Sequence, residues 1–248
     1  MFPQKTSYPD TFFEDRKGAL TSAKHIVPIV LELIHPKSVV DVGCGTGEFL
    51  YTFKEHGVGD ILGIDGEWVS RKKLRISEAF FLSADVEKPL KVDKKFDLVV
   101  SLEVAEHLRE SSARTFVETL TRLGPVILFS AAIPFQGGTH HVNEQWPEYW
   151  VNFFQERGYL PIDCIRKKIW NNTEVSFWYA QNTLLFVEGE YLKTNKRLKD
   201  EFTKTSDLVL SLVHPKQYLP QAKRYTRIMQ LIPRPLLLLL DKLKDLLR

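Results

Sequence analysis

Cysteine is almost missing from this chain. Cys44 and Cys164 are the only two among 248 residues, too few to staple a fold of this size, which excludes a disulfide scaffold and gives no sign of an oxidising compartment. Long apolar runs are missing as well. The five leucines Leu236–Leu240 fall far short of the ~20 apolar residues that a membrane-spanning helix needs, and the apolar stretch 25–34 is broken by Glu32. Pro3, Pro9, Asp10 and Glu14 stand where a secretory leader would be apolar. Internal repeats and low-complexity tracts are lacking too, and neither sign of charge dominates, with 34 Lys and Arg against 31 Asp and Glu. A cytoplasmic globular protein is the expectation.

What is present fits that class: 44% apolar and 26% charged residues, in a length suited to one large domain or a core with an appendage. The charge is unevenly placed. From Gly189 onward there are 13 basic and 6 acidic residues, so of the net +3 the last segment carries +7 and the first 188 residues −4. The reading is a domain over residues 1–188, with its core at about 19–188, and a basic helical extension over 189–248.

Periodicity gives alternating elements. Residues 19–34 have helical spacing, and Ser38-Val-Val-Asp-Val42 is a short β-branched run typical of a buried parallel strand. Helical sequence follows at 48–56, 68–76, 104–123 and 146–157. Further strands are expected at 61–65, 80–82, 96–101, 126–130, 159–165 and 177–187. Such alternation predicts a parallel sheet covered by helices on both faces, with its ligand crevice beyond the carboxyl ends of the strands.

Asp41-Val-Gly-Cys-Gly-Thr-Gly47 follows the first strand. Its alternating glycines permit a tight turn and close approach of backbone to a ligand. A dinucleotide fingerprint needs a further glycine where Glu48 stands, and a carboxylate there would repel a pyrophosphate yet tolerate a sulfonium cation. The missing G-K-[ST] ending excludes a phosphate-gripping loop. Asp65 ends the second strand, where an acid can accept ribose hydroxyls, and Asp85 ends the third, placed to accept from an adenine amino group.

These segments resemble the class I S-adenosylmethionine-dependent methyltransferases over about residues 19–188. Asp41, Gly43, Cys44, Gly45 and Gly47 look like the family's first motif. Asp65, with Gly66 after it, looks like the ribose-binding acid, and Ala84, Asp85 and Val86 look like the adenine-contacting segment. Leu102 and Glu103, at the end of the fourth strand, match the stretch near the methionine portion. The resemblance implies S-adenosylmethionine as cofactor and a seven-stranded Rossmann-like sheet whose last strand, here 177–187, runs antiparallel.

A hydroxyl acceptor has to lose its proton to a base or to a metal. His140 and His141, in the loop Pro134-Phe-Gln-Gly-Gly-Thr-His-His141, supply imidazoles suited to that work. Glu103, Glu106 and His107 recur at i, i+3 and i+4, so on a helix they would share a face and, with His140 or His141, offer a divalent metal two carboxylates and two imidazoles. That spacing is similar to that of small-RNA 2′-O-methyltransferases and ubiquinone-pathway O-methyltransferases, although related segments occur in members that bind no metal. The metal is therefore not required by this reading.

Gln145 and Trp146 suit a sugar ring, which offers C–H faces and many hydroxyls. Phe12, Phe13, Arg16 and Lys17 precede the first helix, where relatives fold a segment over the pocket. The leucine-rich tail is read as docking on its own core or pairing with a second copy, and membrane contact is not expected. The resulting expectation is O-methylation of a sugar or glycan precursor. RNA 2′-O-methylation is the metal-dependent rival, disfavoured by the acidic core, and a cofactor-fold scaffold without activity is the third reading.

Overall fold

The structure, a computed structural model, describes residues 17–205 and 209–231. Phe12, Phe13, Arg16 and the leucine run 236–240 lie outside the described residues. The chain divides into two compact units, Met1–Leu212 and Val213–Arg248.

In the first unit, helix α1 (Lys17–Ile34) precedes strand β1 (Ser38–Val42), helix α2 (Glu48–Glu55), strand β2 (Asp60–Asp65) and strand β3 (Phe81–Ser83). Strand β4 (Leu98–Leu102), helix α3 (Ala113–Leu123), strand β5 (Val126–Ser130), helix α4 (Pro147–Glu156) and strand β6 (Tyr159–Ile162) follow. The unit closes with helices α5 (Arg166–Ile169) and α6 (Phe177–Asn182), strand β7 (Leu184–Glu188) and helices α7 (Gly189–Thr194) and α8 (Lys196–Thr205). The seven strands form one sheet in the order β3-β2-β1-β4-β5-β7-β6, with β7 antiparallel to both of its neighbours.

The sheet has a core on each face. On one side Ile26, Val30, Leu50 and Phe53 pack against Val39 and Leu98, and on the other Phe116, Leu120, Trp150 and Phe154 pack against Val40, Val99 and Phe186. Strands β1 and β4 are buried almost throughout, as expected of central strands covered from both sides. Phe154 stacks on Phe186 with ring centroids 3.9 Å apart, which seats α4 over the inserted antiparallel strand. Arg166, 1% exposed, forms a bidentate pair with Asp163 at 3.0 and 2.8 Å and donates to the carbonyls of Gln181 and Leu210. Helix α8 is tied to β6's end by the Asp163 N–H donating to Thr205 Oγ1.

Three expected elements differ. Residues 68–76 form only a 3₁₀ turn at Arg71–Lys73, because the chain then extends along the glycine loop, where the Arg75 N–H donates to the Thr46 carbonyl. Residues 104–123 are not one helix. A 3₁₀ turn at Ala105–His107 comes first, and its Glu106 carbonyl accepts from Val142 and Asn143 rather than from a following helical turn. The expected strand 177–187 is helix α6 followed by β7. Its pairing with β5 begins only at Leu184 opposite Phe129, so residues 177–182 have no strand beside them and coil at the sheet's edge.

The second unit contains helix α9 (Pro215–Leu231), which begins where the Lys216 N–H donates to His214 Nδ1. Tyr218, Tyr225 and Leu231 are exposed on it. No helix among the described residues is long and apolar enough to cross a membrane.

Candidate active site

The carboxyl ends of β1, β4 and β5 open into a cavity of about 710 Å³, within the range of small-molecule sites. One end is the glycine loop. Gly43, Gly45 and Gly47 all have left-handed φ values, of 85°, 56° and 87°. At Gly43 the need is steric as well, since a Cβ there would lie 2.3 Å from Val104 Cγ2. The loop is fastened from below: Asp65, 8% exposed, accepts from the Gly45 N–H at 2.7 Å and from the Gly66 N–H at 2.6 Å. Such bonds to an ionised carboxylate contribute about 1.5–3 kcal/mol each. Helix α2 starts directly after Gly47, and its N-terminus already has a negative group. The Glu48 carboxylate is buried there, accepts from Thr46 Oγ1 and lies 3.5 Å from Arg75 Nε.

Asp41, Glu48, Glu103 and Glu106 line the cavity, and no Lys or Arg does among the described residues. That wall suits a cationic sulfonium and opposes a phosphate. Cys44, Phe49 and Leu102 add apolar surface beside it. The residues present therefore fit S-adenosylmethionine.

Other expected cofactor residues stand further out. Asp85 is half-buried, accepts from the Glu87 N–H and lies 3.3 Å from Lys88 Nζ, which makes it a turn-capping acid in this structure. The Ala84 N–H donates to the Asp65 carbonyl, and Val86 is in the core. None of these three lines the cavity.

At the other end are the acceptor candidates. His107 and His141 line the cavity with ring centroids 4.8 Å apart and planes at 89°. His140, adjacent in sequence, is exposed with φ 62° and is not part of the lining. Glu144 accepts from the Phe135 and Gly137 N–H groups and pairs with His141 Nδ1 at 2.9 Å. This turns His141 Nε2 inward, 4.0 Å from Glu106 Oε1. Gly138 packs over that ring: a Cβ on it would fall 2.3 Å from Nε2.

The two acids after β4 have different surroundings. Glu103, at φ 54°, accepts from Gln136 Nε2 at 2.8 Å and Asn182 Nδ2 at 3.0 Å. Gln136 Oε1 in turn accepts from Asn182 and Gln181. Burial raises the Glu103 carboxyl above the usual range, opposed by those hydrogen bonds. Glu106 is fully buried, and the Glu106 and Ala132 backbone N–H groups are its only hydrogen-bonding support among the described residues. Burial, then the nearby Glu103, pushes it well above the usual carboxylate range.

Gln145 and Trp146 are not brought to the cavity. Gln145 bonds Asn143, and Trp146, 42% exposed, sits at the start of α4. Phe177, Trp178 and Tyr179 of α6 supply the aromatic lining instead. The signal for them was the amide pair Gln181-Asn182, which interrupts the apolar run before Leu184 and marks a polar turn rather than a strand.

A seven-stranded sheet of this order, with a glycine turn and acids at its strand ends, defines a class I S-adenosylmethionine-dependent methyltransferase. Residues 13–161 match the Methyltransferase domain family, and the chain belongs to it. No curated protein matches the chain. Among solved structures it is similar to the sugar N-methyltransferase KedS8 from Streptoalloteichus sp. ATCC 53650, at 16% identity and TM-score 0.56, covering 76% of this chain and 96% of that one. It is also similar to the plantazolicin methyltransferase BpumL, in complex with SAH, at 17% identity and TM-score 0.52, covering 73% and 91%. An O-methyltransferase family protein from Burkholderia thailandensis shares 12% identity at TM-score 0.52 over 72% of this chain. There the chain spans only 57% of its relative's length. At these identities the likeness is one of fold.

Proposed function

We propose that the enzyme methylates a hydroxyl group of a sugar or glycan precursor. The observation that carries this reading is one cavity that joins an acidic, cation-accepting wall at the glycine loop to a half-buried imidazole pair, His107 and His141, with Trp178 and Phe177 beside them. Bound S-adenosylmethionine supplies a methyl group on positively charged sulfur. Asp41 and Glu48 face that charge, Asp65 fixes the loop, and Gly43, Cys44, Leu102 and Glu103 complete the cofactor side. On the acceptor side the hydroxyl proton must leave, and His141, oriented by Glu144, is the group placed to serve it. The half-buried faces of Trp178 and Phe177 suit the C–H face of a sugar ring, and the lack of Lys and Arg among the described lining residues disfavours a phosphorylated acceptor.

Residues 1–188 are assigned to the catalytic domain in this reading, and 189–248 to an appended basic segment. The sugar N-methyltransferase among similar folds is compatible with a saccharide acceptor. RNA 2′-O-methylation is the second reading, favoured by the closeness of Glu106, His107 and His141. The test is mass-spectrometric detection of products labelled from deuterated S-adenosylmethionine across saccharides, short RNAs and phenols. Labelled saccharide supports the first reading, and label confined to RNA termini overturns it.

A further inference from the structure

The chain carries no Asp or Glu from residue 208 to residue 240, a stretch that holds Lys216, Lys223, Arg224, Arg227 and Arg234. Helix α9 lies within it and has no acid of its own to pair with its four cations. At 3.6 residues per turn its side chains sort by polarity. Lys216, Lys223 and Arg227 share one face, with Arg224 at its margin, and Tyr218, Ala222, Tyr225 and Ile228 share the opposite one. Both faces are open. All four cations are exposed, as are Tyr225 at 62% and Ile228 at 48%, with Tyr218, Leu219 and Leu231. A helix of this length is marginal in water unless an amphipathic face packs on something. Pro220, inside it, removes a backbone hydrogen bond and increases that need.

We propose that α9 is a docking helix for an anionic lipid surface. Charge of one sign attracts phosphate headgroups, and each Lys or Arg near such a surface contributes about fivefold in affinity. Their long side chains can reach back to headgroup level while the apolar face is buried. Tyrosines beside Leu219 and Ile228 suit the boundary between headgroups and acyl chains, where a ring with a polar tip is favoured. A second copy docking by the apolar faces would leave the cations unanswered, and a nucleic acid would leave Leu219, Ile228 and Leu231 unanswered. The lipid boundary answers both. Such a helix rests in the headgroup plane without spanning, in keeping with the lack of a spanning helix among the described residues. This revises the sequence-based expectation of no membrane contact, which weighed the leucine run and not the exposure of α9. The proposal goes beyond the methyl-transfer reading and does not depend on it.

The test is flotation of the full-length protein with two sets of vesicles, phosphatidylcholine alone and phosphatidylcholine with phosphatidylglycerol in a two-to-one ratio, at low and high salt. Circular dichroism reports that each variant is folded. Binding to the anionic vesicles should be at least about tenfold tighter than to the neutral ones, and weaker at high salt. The triple variant Lys223→Gln, Arg224→Gln, Arg227→Gln should lose about 100-fold in affinity for the anionic vesicles. The double variant Tyr225→Ser, Ile228→Ser should lose at least about tenfold. The proposal is overturned if wild-type protein binds neither set or both equally, if the triple variant keeps wild-type affinity, or if single-stranded RNA binds more tightly than the anionic vesicles. A dimer that the double variant dissociates, with no vesicle bound, overturns it in favour of self-association.

Discussion

The Gly45 N–H donates to Asp65 Oδ2 at 2.7 Å, so the end of β2 fastens the turn that follows β1. The acid therefore has a structural task before any ligand arrives. Asp65→Ala should weaken S-adenosylhomocysteine binding by at least about tenfold and lower stability by about 3–6 kcal/mol, the loss of two charge-assisted bonds. Calorimetry and urea denaturation read the two effects separately. Unchanged affinity would show that the fastening does not shape the cofactor cradle.

Gly43→Ala combines an unfavourable φ with a collision against Val104. A loss of at least about 2 kcal/mol is expected in urea denaturation, since positive φ and overpacking each cost about 1–3 kcal/mol. The double variant Gly43→Ala, Val104→Ala removes the collision but not the strain, so it should recover less than the full loss.

Trp178→Ala should raise the KM for the acceptor about tenfold, the scale of one lost aromatic contact, and leave S-adenosylhomocysteine affinity within twofold. Steady-state kinetics with the acceptor found by product screening would check this. An equal loss in both ligands would place Trp178 in the fold rather than in the acceptor chamber.

Burial pushes the Cys164 thiol up to about 12. A raised thiol holds its proton, so the reactive thiolate is scarce throughout the neutral range and grows only as pH approaches that value. Native Cys164 should resist iodoacetamide at pH 8, whereas Cys44, in the cavity lining, should react slowly and be protected by S-adenosylhomocysteine. Peptide mass spectrometry distinguishes the two cysteines, and rapid native labelling of Cys164 would contradict its burial.

Arg166→Ala should cost about 3–5 kcal/mol, because it leaves Asp163 charged, buried and unpaired. Thermal and urea denaturation measure it. The same change frees the Gln181 carbonyl, so acceptor kinetics should worsen in whatever fraction remains folded.

The fold was largely legible because its signals are local. β-branched runs named the buried strands, and the spaced glycines named the cofactor turn with its positive φ values. The acceptor half was less legible for the opposite reason. Glu103 and Glu106 fit an i, i+3 helical face, but the chain takes a left-handed step at Glu103 and a 3₁₀ turn after it, which sends one acid toward Asn182 and the other toward His141. Trp146 looked like a pocket residue from its neighbours, yet helix α4 uses its buried side for Trp150 and Phe154. Trp178 reaches the cavity only because β5 ends at Ser130 and leaves residues 177–182 free to coil. Sheet pairing of that kind is a tertiary fact that no window of sequence contains.

The loop bearing Gly137 and Gly138 is moored on both sides, by Glu144 to the backbone of Phe135 and Gly137 and by Gln136 to Glu103. Thr139 and His140 form its exposed tip. Substitutions at the tip can thus alter which molecules gain admission while the donor half keeps its geometry, so acceptor preference can diversify among descendants of this chain without rebuilding the machinery beneath.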